Sequence, residues 1–95
     1  MIDMATFEIK MIFKKSSDMY KITSEINMIS KKSNVKMLEK GTNLFTLGTD
    51  DINCFGRAYI FLSYSEMIKS NLLDAIWKDK NGTISCRKGL LAPVA

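Results

Sequence analysis

The order of hydrophobic patterns along this chain predicts an α+β fold, one antiparallel sheet carrying two helices. Residues from Thr6 to Lys14 alternate apolar and polar, as a half-buried strand does. Met19, Ile22, Ile26 and Ile29 then recur at helical spacing. Downstream come further strand-like stretches, a second helical pattern and a short final strand, so the order reads β-α-β-β-α-β.

In the first strand Phe7, Ile9, Met11 and Phe13 share one face, and Thr6, Glu8, Lys10, Ile12 and Lys14 the other. Ser16 or Ser17 offers an N-cap to the first helix and Asp18 suits its positive end. Lys31 and Lys32 suit its negative end, and Asn34 supplies a left-handed stop. Between Val35 and Leu47, the turn-like Gly41-Thr42-Asn43 divides two apolar groups, which fits either one bulged strand or a small hairpin. Gly48-Thr49-Asp50-Asp51 is turn chemistry. The segment Arg57–Tyr64 that follows contains the continuous apolar run Tyr59-Ile60-Phe61-Leu62, which predicts a central strand covered on both faces. Ser63 and Glu66 are spaced as in a capping box, and Ile68, Leu72, Ala75 and Ile76 line a second predicted helix reaching Lys78. Asn81-Gly82 signals a turn into a final strand, Thr83–Arg87. With right-handed crossovers this order is the ferredoxin-like split βαβ arrangement, an antiparallel sheet with both helices on one face and the other face open.

A length of 95 residues suits a single domain, 1–95, with residues 1–5 and 89–95 as peripheral tails. No apolar run approaches the ~20 residues that span a bilayer, and the N-terminus lacks the pattern of a secretory signal, so a cytoplasmic location without a membrane partner is expected. Cys54 and Cys86, in a chain without histidine, cannot complete a four-ligand zinc site alone. They are expected as buried free thiols, with no metal and no cofactor. Eight lysines against three acids leave +5 on residues 10–40, out of a whole-chain charge of +4. Twelve lysines against two arginines, with abundant isoleucine, asparagine and methionine, point to an AT-rich bacterial or mobile-element origin. Lysine is a point charge where arginine offers a planar fork, which disfavours base-specific readout.

Histidine, the usual general acid–base group at neutral pH, is absent, so catalysis is not expected. Asp50-Asp51 reads as a solvated turn, and Cys54, despite Arg57 three residues on, as a core thiol. The stretch Phe55-Gly56-Arg57-Ala58-Tyr59-Ile60-Phe61-Leu62 resembles the central-strand motif of RNA-recognition-motif domains at Gly56, Ala58, Tyr59 and Ile60. It departs from that motif at Phe55, Arg57 and Leu62, and Phe7–Phe13 does not reproduce the family's other motif. The resemblance implies that Tyr59 on an open sheet face would stack on a base.

The expected function is therefore a small, non-catalytic binding module that engages another protein, of the immunity, inhibitor or adaptor type. A basic inhibitor suits a target with an acidic face. The expected contact residues are Arg57 and Tyr59 on the open sheet face and Trp77 on the second helix, tryptophan being enriched at binding hot spots. The alternative is RNA or single-stranded nucleic-acid binding through the open sheet face, with phosphate contacts from Lys10, Lys14, Lys15, Lys31, Lys32 and Lys36. Homodimerisation through sheet edges or open faces is compatible with either.

Overall fold

The computed structural model describes residues 6–79 and 82–87. Its elements are β1 (Phe7–Phe13), α1 (Met19–Ser33), β2 (Lys36–Lys40), β3 (Leu44–Thr49), α2 (Ile52–Tyr64), α3 (Glu66–Asn71), β4 (Leu72–Asp79) and β5 (Gly82–Arg87). The sheet order is β2-β3-β1-β4-β5, and every neighbouring pair is antiparallel. Its first four strands form the ferredoxin-like split βαβ arrangement, and β5 adds a strand beyond β4. The expected tails, and Asn81 of the expected turn, lie outside the described residues.

The clean alternation of β1 sets the layers. Ile9, Met11 and Phe13 are buried, while Glu8, Lys10 and Ile12 are half-exposed on the other face. Across the ladder Met11 stands opposite Phe45 and Ala75, and Ile9 opposite Leu47 and Trp77, so β3 and β4 add their buried residues to the same face. Ile22, Ile26 and Ile29 of α1 and Cys54, Ala58 and Leu62 of α2 close that core from above. Each fully buried aliphatic or aromatic side chain there contributes ~1.5–3 kcal/mol relative to exposure.

The first helix forms as its sequence requires, with one change at its start. Asp18, rather than Ser16 or Ser17, is the N-cap, its carboxylate accepting from the Lys21 amide at 3.3 Å. Asn34 terminates the helix at φ 57°, and Lys31 and Lys32 lie in the last turn. Between Val35 and Thr49 the hairpin is realised, with an irregularity in β2 between Met37 and Glu39. That irregularity, with exposed Lys36, Glu39 and Lys40, blunts an otherwise open sheet edge.

Three assignments change. Gly48 and Thr49 extend β3, so the turn is reduced to Asp50-Asp51, and Asp51 N-caps a helix by accepting from the amides of Asn53 (2.8 Å) and Cys54 (3.4 Å). Arg57–Tyr64 therefore belongs to α2 and not to a central strand. Its aromatic and β-branched run fits either state, and the four-residue spacing of Cys54, Ala58 and Leu62, the residues that reach the core, decides for the helix. The predicted second helix shrinks to the six residues of α3, capped by Ser65, whose Oγ accepts from the Ile68 amide at 3.3 Å. Ser63 is buried on α2 instead. From Leu72 the chain is a strand, because Leu73 is an extra, exposed residue between Leu72, opposite Phe13, and Asp74, opposite Ile12. This bulge turns a two-residue period into the three-residue step from Leu72 to Ala75, which reads as helical in the sequence.

Candidate functional site

The reassignment moves every expected contact residue. Arg57 is exposed, but on α2 rather than on the sheet. Tyr59 lies on the flank of α2 that faces the sheet, half-buried, its ring centroid 4.9 Å from that of Trp77. Trp77 is on β4, 6% exposed, and stands edge-on to Phe55 at 5.4 Å, which in turn stacks on Phe7 at 5.2 Å. The four rings close one end of the core, so Tyr59 and Trp77 are packing residues and Arg57 alone of the three faces outward.

The six lysines of the nucleic-acid reading do not converge. Lys14 and Lys15 follow the C-terminal end of β1, where the Lys14 ammonium donates to the Ser70 carbonyl at 3.2 Å. Because α1 runs back antiparallel to β1, Lys31, Lys32 and Lys36 lie at the opposite end of the sheet. Lys10 is half-exposed on the open sheet face, between Thr46 and Ile76. That face is mixed in character: Thr46 donates to the Glu39 carboxylate at 3.0 Å, and Lys78 pairs with Glu8 at 3.9 Å.

What the fold does gather is an apolar outer face on α2. With Cys54, Ala58 and Leu62 turned to the core, helical geometry turns Arg57, Ile60, Phe61 and Tyr64 together to the outside. Ile60 is 53% exposed, Phe61 36% and Tyr64 69%. A helix that is apolar on both sides either lies in the middle of a larger core or is waiting to be covered. The face continues onto α1, where the Lys32 ammonium sits over the Phe61 ring, 5.8 Å from its centroid. Beside it, Tyr20, Ser24 and Met28 of α1 and Met67 of α3 line a shallow depression, with Tyr20 84% and Met28 43% exposed. Glu25 borders the same depression, and its carboxylate accepts the Ser65 hydroxyl at 3.1 Å, tying α1 to the start of α3.

The sequence reading names Arg57 as a contact residue and passes over Ile60, Phe61 and Tyr64, because a strand covered on both faces buries all three. The signal that would have placed them is the spacing of Cys54, Ala58 and Leu62 behind the capping residue Asp51. Cys54 itself is a buried free thiol, while the side chain of Cys86 lies outside the described residues. Among the described residues no three His, Cys, Asp or Glu side chains gather as metal ligands do. None of the described helices is long and apolar enough to cross a membrane.

No family model, curated protein or solved structure matches the chain.

Proposed function

We propose that this chain is a non-catalytic protein-binding module that engages its partner through the outer face of α2. The observation that carries the reading is the exposure of Ile60, Phe61 and Tyr64 side by side with Arg57 on one helix face. Aromatic residues and arginine are the types enriched at the centres of protein interfaces, and contiguous exposed apolar surface on a small domain marks a contact site. Tyr64 and Phe61 supply large contact area with few rotatable bonds, and Arg57 adds a forked donor at the rim. An immunity, inhibitor or adaptor role in a bacterial cytoplasm would use such a face to cover or recruit a partner. The nucleic-acid reading has less support, since Tyr59 packs on Trp77 and the lysines occupy opposite ends of the fold.

The test is capture from nuclease-treated host lysate by the wild-type chain and by an Ile60→Asp/Tyr64→Asp variant, both substitutions lying at exposed positions. The reading expects one stoichiometric protein on the wild type, retained in high salt and lost from the variant, with thermal midpoints that agree. Equal capture by both chains overturns the assignment to α2. Recovery of RNA that washes off as salt rises, with no dominant protein, overturns it in favour of nucleic-acid binding.

A further inference from the structure

We infer that the partner presents an acidic amphipathic helix, which lies along the seam between α1 and α2; this inference rests on the reading of α2 as a protein-binding surface.

α1 and α2 pack side by side in opposite directions, linked by Lys32 over Phe61 and, one turn further along, by the hydrogen bond from Ser65, the C-cap of α2, to Glu25 in the middle of α1. Two helices in this relation leave a seam between their outer ridges, and a third helix seats its own ridge in such a seam. The seam is bordered by Met28 on α1 and by Phe61 and Tyr64 on α2, each at least a third exposed. On α1 the linked stretch from Glu25 to Lys32 covers roughly 10 Å, enough to seat about two turns of an incoming helix.

The charge around the seam is mainly positive. α1 and α2 together carry Lys21, Lys31, Lys32 and Arg57 against Glu25 alone, and the exposed Glu66 that follows Ser65 pairs with Lys69 at 3.4 Å. Lys31 and Lys32 line a further depression with Asn27 and Met28, so the cations stand at the lip of the apolar strip rather than away from it. An incoming helix with a glutamate-rich or aspartate-rich polar flank pairs with these groups, whereas a lysine-rich flank sets like charges opposite Lys32 and Arg57. The same reasoning disfavours a second copy of this chain. A two-fold contact through this face sets one copy's cationic patch against an identical patch, which carries the same excess of lysine and arginine and brings no added acid to offset it.

The experiment is an amide-resolved NMR titration of the whole chain with two synthetic amphipathic helices. They share one leucine stripe and differ in a polar flank built from glutamate or from lysine. The glutamate peptide is expected to move the Met28, Lys32, Phe61 and Tyr64 signals and to bind about tenfold or more tightly than its twin. Lys31→Glu/Lys32→Glu/Arg57→Glu, all at exposed positions, is expected to invert that preference. Equal binding of both peptides at these residues overturns the acidic partner and leaves the protein-binding face standing. Silence of these residues with either peptide overturns both. Signals that shift with the chain's own concentration, or a chain that pellets with phosphatidylserine vesicles, replace the acidic helix by a second copy or a lipid surface and overturn the inference.

Discussion

Tyr59 leans on Trp77 with ring centroids 4.9 Å apart and planes tilted by 48°, joining the middle of α2 to the strand beside β1. The indole is buried, yet its Nε1–H finds no acceptor among the described residues. Trp77 is held there by area and ring contacts, without help from a hydrogen bond. Trp77→Ala is expected to cost ~3–5 kcal/mol, the range for deleting a large buried aromatic. Trp77→Phe keeps the ring contacts and removes an unsatisfied donor, so it is expected to cost clearly less. Urea unfolding of both variants, followed by far-ultraviolet circular dichroism, checks this. Equal losses would mean that the indole nitrogen is bonded after all.

Gly56 lies inside α2, and a Cβ added there meets no atom within 4 Å. Glycine in a helix interior is less favourable than alanine by roughly 0.5–1 kcal/mol, because the unfolded chain loses more freedom on folding. Gly56→Ala is therefore expected to stabilise the protein by about that amount, raising the thermal midpoint by roughly 2–8 °C in a domain of this size. A scanning calorimetry trace settles it. A lowered midpoint would show that the backbone at Gly56 needs its glycine, contrary to a regular helix there.

The two ends of the chain differ in how plainly the fold could be read. β1 and α1 each have one dry face and one wet one, so burial writes a clean period into their sequences, and both are found where the period places them. The later elements obey other constraints. α2 has exposed Ile60, Phe61 and Tyr64 opposite its buried stripe, which erases the helical contrast that a solvated face of charges would supply. β4 contains the Leu73 bulge, which breaks the alternation that marks a strand. The topology was still legible, because β2 and β3, both within or beside Val35–Leu47, supply the two strands expected of that segment and of the run Tyr59–Leu62. Of the exposed outer face of α2, only Arg57 was legible as outward-facing, since its charge demands solvent in either secondary structure. The feature that hid α2 in the sequence is thus the same exposed apolar face on which the proposed binding role rests.

Asp50, in the turn between β3 and α2, fastens Thr6, the residue that precedes β1. One carboxylate oxygen accepts from the Thr6 amide at 2.8 Å and from the Thr6 hydroxyl at 3.0 Å, just before β1 begins. These two bonds, the amide's first, hold the acid below its ordinary value of 3.8; slight desolvation opposes them and the nearby Lys36 ammonium adds to them. A carboxyl more acidic in the folded than in the unfolded chain stabilises the fold fully above its unfolded value. That contribution fades as pH falls through the folded one. Asp50→Asn is thus expected to lower the urea midpoint at neutral pH, with the gap to wild type narrowing below pH 3.8. Because Asp50 is exposed, the gap is expected to be small, and the Lys36 share of it to shrink in added salt. Midpoints measured for both chains from neutral pH down through this range decide the matter. A gap that stays constant with pH would mean that the ionised carboxylate does not fasten Thr6.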